Sequence, residues 1–225
     1  MSHENISNEK NELARFNMIE QQIRTWEVLD GVVLHLLKQV PREDFVPAEY
    51  KGLAFADLEI PIGENQVMLS PKVEGRILQA LNPSKNETVL EIGTGSGYLT
   101  ALLATVTNRV LSLEIFPKLS ELAKQKFNKF PFKNIELKVA DGIHGDEAMG
   151  PFDIIVYTGS LPLLPSSVEK QLKIGGRMFI VIGEAPVMQA ILIKRISEDS
   201  FKRDVLFETC IPMLVNAPQP ERFKF

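Results

Sequence analysis

The sequence is poor in cysteine and contains no long apolar run. Cys210 is the single cysteine among 225 residues, which excludes an internal disulfide. Its neighbours are typical of a strand, so we expect a buried, unreactive thiol. No apolar stretch approaches the ~18 residues of a membrane span, and the polar N-terminus lacks the apolar core of a signal peptide. These absences predict a soluble, cytoplasmic protein that does not bind membranes.

Basic charge and histidine are also scarce. The chain has 25 Lys and Arg against 29 Asp and Glu, a net charge of −4, so it lacks the basic excess that is typical of nucleic-acid binding. The three histidines, His3, His35 and His144, are scattered at spacings that fit no metal site. We therefore expect no bound metal and no nucleic-acid partner.

The length suits one compact unit with two parts. Residues 1–82 are predicted to form a helical N-terminal extension and an acceptor-side segment, and residues 83–225 a nucleotide-binding domain. Residues 1–12 are polar and expected to be frayed. Apolar spacing, with Phe16, Ile19 and Ile23 and then Val28, Val32 and Leu36, predicts two amphipathic helices. Residues 54–69 are expected to be irregular, and Ser70-Pro71 to begin another helix.

After residue 86, strand and helix patterns alternate. The predicted strands are 88–92, 109–114, 134–139, 152–157 and 176–182, and the predicted helices are 98–105, 117–130 and 165–172. This alternation is typical of a doubly wound, mostly parallel α/β sheet of the Rossmann-like kind. Strands at 188–196 and 205–214, joined by the polar turn 197–202, are predicted to add an antiparallel C-terminal edge.

A glycine-rich turn joins the first of these strands to its helix. It reads Glu91-Ile92-Gly93-Thr94-Gly95-Ser96-Gly97, and it is expected to present backbone N–H groups and a positive helix end to a ligand. Glycine permits the tight turn and the close approach of the ligand. Glu91 would repel a pyrophosphate but would tolerate a ligand with an ammonium and a sulfonium group. The turn therefore favours S-adenosylmethionine (SAM) as cofactor.

Two more acids follow the next strands. Glu114 ends the second strand, at about 20 residues from the turn, the spacing at which an acid accepts ribose hydroxyls. Ile115 follows it, and Asp141-Gly142 follows the third strand, where Asp141 could reach the adenine edge. Taken singly, Glu114 could be a solvated strand-end charge and Asp141 a turn residue. Their register with the glycine turn favours a cofactor site.

NAD is the rival nucleotide. Its fingerprint requires a third glycine at the position of Tyr98, and short-chain dehydrogenases need a lysine four residues after a tyrosine. The three tyrosines are instead followed at that spacing by apolar residues: Tyr50 by Ala54, Tyr98 by Leu102 and Tyr157 by Leu161.

Methyl transfer to a carboxylate needs alignment rather than a general base, so the absence of a Ser-His-Asp set does not exclude catalysis.

From Met18 to about Leu214 the chain resembles the protein-L-isoaspartate O-methyltransferases. The resemblance rests on six segments: residues 18–23 (MIEQQI), 40–47 (VPREDFVP), 60–63 (IPIG), 89–98 (VLEIGTGSGY), 152–156 (FDIIV) and 171–177 (QLKIGGR). It implies a SAM-dependent enzyme that esterifies the free α-carboxylate of isoaspartyl residues in damaged proteins. The expected partner is a protein or peptide carboxylate, and the expected state is a monomer or a weak homodimer.

The chain departs from the family on the acceptor side. The family carries a Gly-Gln-Thr-Ile-Ser-x-Pro-like segment whose serine is placed at the active site. Val67 stands at the threonine and Leu69 at the serine. We take Leu69 and Ser70 as the catalytic segment, although Ser70 lies one position late and suits a helix N-cap. Val67 is a candidate substrate residue.

A second departure follows the fourth strand. Thr158 and Ser160 replace a Thr-Ala-Ala-like run and are expected to form a hydroxyl-bearing loop that faces the substrate. Cofactor positions are kept while acceptor positions change. Two alternatives to isoaspartyl methylation therefore stay open: methyl transfer to another acceptor, and a non-catalytic SAM-binding module.

Overall fold

The structure is a computed structural model that describes the backbone of residues 3–220 and the side chains of residues 9–220. Helix α1 spans His3–Asn17 and continues through a π-helical turn, Met18–Ile23, and a 3₁₀ turn, Arg24–Trp26. The expected fraying of residues 1–12 is thus wrong from His3 onward. The sequence has neither proline nor glycine before Gly31, so nothing in it breaks the helix.

Helix α2, Gly31–Gln39, begins where Asp30 Oδ1 accepts hydrogen bonds from the amides of Val32 and Val33. The predicted apolar faces are only partly right. Val28 and Leu36 are buried, but Phe16 and Val32 are exposed. The buried face of α2 instead carries four apolar residues: Val33, Leu34, Leu36 and Leu37.

The segment that was expected to be irregular contains a small hairpin. Two 3₁₀ turns, Arg42–Asp44 and Ala48–Leu53, precede antiparallel strands β1, Ile60–Gly63, and β2, Gln66–Met68. Glu64 and Asn65 between them have positive φ, the geometry of a tight hairpin turn. Helix α3, Pro71–Leu81, then begins at the predicted residue. The Ser70 side chain occupies the N-cap position but makes no capping hydrogen bond.

The main sheet has seven strands in the order β5-β4-β3-β6-β7-β8-β9. The strands are β3 (Thr88–Ile92), β4 (Arg109–Glu114), β5 (Ile135–Val139), β6 (Phe152–Leu161), β7 (Leu172–Glu184), β8 (Val187–Arg195) and β9 (Phe201–Thr209). The helices among them are α4 (Tyr98–Val106), α5 (Pro117–Phe127) and α6 (Ser166–Glu169). The first five strands are parallel and the last two antiparallel, which confirms the predicted Rossmann-like sheet and its antiparallel edge.

The order of the strands reverses between β3 and β6, which lie side by side in the sheet. Strands β3, β4 and β5 follow one another toward one edge, and β6 and β7 toward the other. In open α/β sheets, ligands bind beyond the carboxyl ends of the strands at such a reversal. The glycine turn lies at the carboxyl end of β3, directly at this point.

The C-terminal segment leaves the sheet earlier than predicted. Strand β9 ends at Thr209, and Cys210 lies outside it with an exposed side chain, so the expectation of a buried thiol in a strand is wrong. The chain then crosses to the end of β6, where Ser160 exchanges backbone hydrogen bonds with Pro212 and Leu214. This crossing brings residues 212–215 over the strand reversal.

Two apolar clusters cover the two faces of the sheet. One contains residues of the N-terminal part together with sheet and helix residues, among them Ile23, Phe45, Leu78, Tyr98 and Phe179. The other is centred on residues such as Leu90, Leu111 and Met178. The N-terminal segment therefore shares a core with the sheet. Within residues 3–220, no helix is both long enough and apolar enough to cross a membrane.

Candidate active site

The glycine turn has a backbone that only glycine adopts easily. Gly93 has φ of +94° and Gly97 has φ of +84°. A Cβ on Gly93 would lie 2.3 Å from Thr158 Oγ1, and one on Gly97 would lie 2.8 Å from the ring of Phe127. Both positions thus exclude larger residues through backbone conformation and close packing.

A cavity that is partly open to solvent lies above this turn. The carboxyl ends of β3, β4, β5 and β6 border it, together with the hairpin, the start of α5 and residues 212–215. Its place beyond the strand ends and its mixed polar and apolar lining are typical of a small-molecule site. The cavity is therefore the place where predicted donor-side and acceptor-side residues could meet.

Most of the predicted site residues do meet there. The lining includes the donor-side residues Gly93, Gly95, Glu114, Ile115, Asp141 and Gly142, and the acceptor-side residues Val67, Leu69 and Thr158. Six predicted residues do not line it: Glu91, Thr94, Ser96, Gly97, Ser70 and Ser160.

Glu91 lies beneath the turn, not in the cavity. Its side chain is fully buried, and Oε2 accepts hydrogen bonds from Thr100 Oγ1 at 2.5 Å and Ser112 Oγ at 2.6 Å. Burial raises the pKa of Glu91 to about 7, against the lowering effect of these two hydroxyls. The expectation that Glu91 faces a cationic ligand is thus corrected: Glu91 ties β3 to α4 and β4.

The other turn residues outside the cavity also support it from below. Thr94 Oγ1 and Ser112 Oγ lie 2.6 Å apart in a hydrogen bond. Ser96 Oγ accepts from the amide of Tyr98 at 3.2 Å, as an N-terminal capping group would. The predicted contacts of Thr94 and Ser96 with a ligand therefore stay predictions, while their contacts within the protein fix the shape of the turn.

Two carboxylates border the cavity. Glu114 is buried, and its oxygens accept hydrogen bonds from the amides of Gly95 at 2.8 Å and Phe116 at 3.0 Å. Asp141 Oδ1 accepts from the Ile143 amide at 3.0 Å. Since each carboxylate oxygen has two lone pairs, both groups can accept further hydrogen bonds from ligand hydroxyl or amino groups.

The acceptor side is mostly apolar. Val67 and Leu69 line it, whereas Ser70 does not reach the cavity and is nearly inaccessible. Thr158 Oγ1 donates to the carbonyl oxygens of Gly93 and Ile92 at 2.7 and 3.0 Å. A hydroxyl-bearing loop was expected at Thr158 and Ser160. This expectation is wrong, because β6 continues through both residues.

Ser160 provides the clearest correction on this side. It is fully buried, and its hydroxyl donates to the carbonyl of Ile211 at 3.1 Å. The pairing of β6 with β7 is irregular between Val156 and Ser160, so Ser160 does not share the cavity with Thr158 as regular alternation would require. Ser160 instead fastens the C-terminal crossing to β6. Its predicted role as a substrate residue does not fit this placement.

Several lining residues were not predicted. They are mainly Gln66, the aromatic Phe116 and the four residues Pro212–Val215. Asn216 Nδ2 also donates to Asp141 Oδ2 at 2.8 Å, which connects the C-terminal segment to the donor side. Residues 205–214 have a strand-like pattern, so the sequence predicts a strand there and not the C-terminal crossing. No local sequence signal indicates the crossing.

The lining fits a cationic nucleoside better than a phosphate. Glu114 and Asp141 supply negative charge, and no lysine or arginine is among the lining residues. Leu113, Ile115 and Ile143 supply apolar walls for a flat base, and glycine backbone allows close approach at the turn. A pyrophosphate would meet two carboxylates without a basic partner.

Comparison with known proteins agrees with this chemistry. A family model described as protein-L-isoaspartate(D-aspartate) O-methyltransferase matches residues 13–216. A protein-L-isoaspartate O-methyltransferase of Magnetococcus marinus is 40% identical over 181 residues, 80% of this chain and 79% of that protein. One of Petrotoga mobilis is 39% identical over 186 residues, 82% of this chain and 87% of that protein.

The fold is also found among solved structures. A putative protein-L-isoaspartate O-methyltransferase from Plasmodium falciparum, solved in complex with S-adenosyl-L-homocysteine, superposes with a TM-score of 0.76 at 19% identity. The match covers 91% of this chain and 98% of that one. At this identity the likeness supports the fold, and it extends over nearly the whole of both chains.

Proposed function

The chain belongs to the protein-L-isoaspartate O-methyltransferase family, and we propose that it methylates the free α-carboxylate of isoaspartyl residues in damaged proteins, with SAM as donor. One observation carries the proposal within the structure. Gly93, Glu114 and Asp141 line the same cavity as Val67 and Leu69, so a donor and an acceptor could meet there.

The donor side supports three proposed groups of contacts with SAM. The proposed contacts are Glu114 with the ribose hydroxyls, Asp141 with the adenine edge, and the backbone of Gly93 and Gly95 with the amino-acid part. When bound, SAM supplies a methyl group activated by its sulfonium. The two carboxylates favour a cationic ligand, and the buried hydrogen bonds of Glu91 keep the turn in place.

On the acceptor side, the residues of the chain align the substrate and exclude water. An isoaspartyl α-carboxylate is already an anion, so the reaction needs no general base, and alignment supplies most of the catalysis. The apolar side chains of Val67, Leu69 and Met213 would reduce the hydration of that carboxylate. Ser70 lies outside the cavity, so a catalytic role for its hydroxyl finds no support in the geometry.

Methyl transfer to a matched pair of peptides tests this function. The protein is incubated with methyl-labelled SAM and either an isoaspartyl peptide or the same sequence with a normal aspartyl residue. We expect label only on the isoaspartyl peptide, released as methanol at alkaline pH because a methyl ester is base-labile. SAM binding without transfer to this peptide would point to another acceptor, and absence of SAM binding would reject the proposal.

The cellular setting is the remaining part of the proposal. We infer that the protein works as a monomer or weak homodimer in the cytoplasm on protein or peptide substrates, without nucleic acid. The net charge of −4 supports the last point. We also infer that residues 1–82 and 83–225 unfold together, since they share an apolar cluster. Light scattering would test the oligomeric state. Calorimetry would test the joint unfolding, for which we expect a single transition.

A further inference from the structure

We propose that Arg42 is a positioning residue, which holds the acceptor-side segment Gln66–Ser70 against the donor-side helix α4. This inference rests on the proposed function, because it assigns Arg42 a role in placing the acceptor. Arg42 does not line the cavity and would touch neither the cofactor nor the substrate. Its effect would be transmitted through the backbone of Leu69, which does line it.

Arg42 is fully buried and uses all three guanidinium nitrogens. Nη2 donates to the carbonyl oxygen of Leu69 at 2.6 Å, Nε donates to that of Ala54 at 2.9 Å, and Nη1 pairs with Glu74 Oε2. Glu74 is itself almost completely buried. A planar guanidinium can hold three partners in fixed directions, which a flexible ammonium cannot.

Leu69 has few other restraints on its backbone. The pairing of β1 with β2 ends at Met68, and α3 begins at Pro71, which has no N–H. Leu69 therefore connects the two elements without taking part in the regular hydrogen bonding of either, whereas the Ser70 carbonyl already accepts hydrogen bonds from the amides of Val73 and Glu74 in α3. The bond from Arg42 fixes the carbonyl of the residue that lines the cavity at this connection.

The same guanidinium contacts the donor side. Its central carbon lies 5.1 Å from the centre of the Tyr98 ring, a cation–π distance. Tyr98 is the first residue of α4 and directly follows Gly97 of the glycine turn. Arg42 thus bridges the end of the donor turn and the acceptor segment, which are brought together by no strand pairing.

Removal of Arg42 alone would mix two effects. The lost hydrogen bond would free Leu69, and the Glu74 carboxyl would remain buried without its partner, which is strongly destabilising. The double variant Arg42→Met/Glu74→Leu removes both charges and keeps apolar volume, so it should be more stable than Arg42→Met alone, although the carbonyls of Ala54 and Leu69 both lose a hydrogen bond. In this variant the Leu69 carbonyl has lost the hydrogen bond from Arg42. A loss of peptide turnover in the folded double variant would therefore report the position of Leu69 and not a buried unpaired charge.

Arg177 offers a matched control. It is a mostly buried arginine that donates to the carbonyl oxygens of Leu81 and Asn82 and pairs with Glu87, at the other end of α3. It does not line the cavity. Arg177→Met should lower the melting temperature without changing methyl transfer to the peptide.

The test combines peptide kinetics with amide hydrogen exchange. For Arg42→Met/Glu74→Leu we expect a peptide kcat/KM at least about tenfold lower, mainly through KM, with the Kd for SAM within about threefold. Exchange in residues 66–70 should speed up, and exchange in 93–97 should not. Arg42→Lys, which keeps a charge beside Glu74, should show a smaller loss in kcat/KM and serves if the double variant does not fold.

Other results would overturn the proposal. Unchanged peptide kcat/KM and unchanged exchange in 66–70 would show that Leu69 is held by other contacts. An equal loss of SAM affinity and peptide turnover would show a general structural role for Arg42. A wild-type protein that transfers no methyl group would reject the proposed function, while the exchange data would still decide whether Arg42 holds this segment.

Discussion

The donor side of the cavity is made of neighbouring strand ends of one sheet, whereas the acceptor side is made of segments far apart in the sequence. Gly93, Glu114 and Asp141 lie at or just beyond the carboxyl ends of three neighbouring strands of the parallel sheet. Val67 and Leu69 belong to a short hairpin and its connection, and Met213 to the C-terminal crossing.

This difference decides how each side tolerates change. Strand pairing and buried hydrogen bonds hold the donor side, so its geometry depends on the whole sheet. The hairpin that carries the acceptor segment forms a separate sheet, and we propose that this segment depends on individual side chains such as Arg42. The contrast teaches that one fold can combine a donor site held by the sheet with an acceptor site held by individual side chains.

The largest effect should come from Gly93→Ala. The added Cβ would lie 2.3 Å from Thr158 Oγ1, at a φ of +94° that alanine avoids, so we expect at least ~100-fold weaker SAM binding by titration calorimetry. Gly175→Ala is the control, because Gly175 has φ of +85° with no atom within 4 Å of the Cβ. Similar loss of SAM affinity in both variants would mean that backbone strain alone, and not the cavity, explains the result.

Glu114→Gln should have the next largest effect. It keeps the shape, removes the charge at the proposed ribose site and turns an NH2 group toward one of the two backbone amides that donate to Glu114. Hydrogen bonds to charged groups contribute about 1.5–3 kcal/mol, so we expect the Kd for SAM to rise roughly 10–100-fold. Glu136→Gln, on the exposed part of β5, is the charge-matched control. If SAM binds equally well to both variants, Glu114 does not contact the cofactor.

Val67→Thr with Leu69→Ser should act on the acceptor side alone. We expect the kcat/KM for the isoaspartyl peptide to rise by about fivefold, since the cavity is partly open to water and each of the two new hydroxyls then adds a hydrogen bond at the weak end of the usual range, about 0.5 kcal/mol. The Kd for SAM should stay unchanged. Isoaspartyl methylation that occurs only in the double variant would contradict the proposed acceptor and favour another one.

Glu91→Gln should have the smallest effect, on stability rather than activity. Burial raises the pKa of Glu91 from 4.5 to about 7, so the folded state binds the proton more tightly than the unfolded state. Its contribution to stability is present below about pH 4.5 and is lost as the pH rises through about 7. Relative to the wild type, Glu91→Gln should gain ~1–3 kcal/mol between pH 5 and pH 8 in denaturant titrations.

A constant difference between the two proteins across this pH range would contradict that assignment. Thr100→Val provides a comparison, because it removes one hydrogen bond to Glu91 but leaves the carboxyl to titrate. Its pH dependence should therefore resemble that of the wild type.

Much of the fold could be predicted because local patterns carry it. Strands β3 and β4 have the predicted bounds, and α3 begins at the predicted residue, since alternation, glycine and proline act within a few residues. The C-terminal crossing could not be predicted, because it depends on contacts of Pro212 and Leu214 with Ser160, more than fifty positions away.

The site residues likewise include some that local spacing predicts and others that it does not. Glu114 and Asp141 could be predicted from their spacing after strands, because parallel strands end at a common edge. The side-chain directions of Glu91 and Ser160 could not, since Thr100 and Ser112 hold Glu91 and an irregularity in the pairing of β6 with β7 displaces Ser160. Arg42 was part of a recognised segment, but its contacts with Leu69 and Glu74 exist only in the folded chain.

The most direct test of a shared donor and acceptor cavity is a crystal structure with S-adenosyl-L-homocysteine and an isoaspartyl peptide. We predict the ribose at Glu114, the adenine near Asp141, and the peptide α-carboxylate between the ligand sulfur and Leu69. A peptide bound outside the cavity, or a nucleoside that contacts neither acid, would contradict the account.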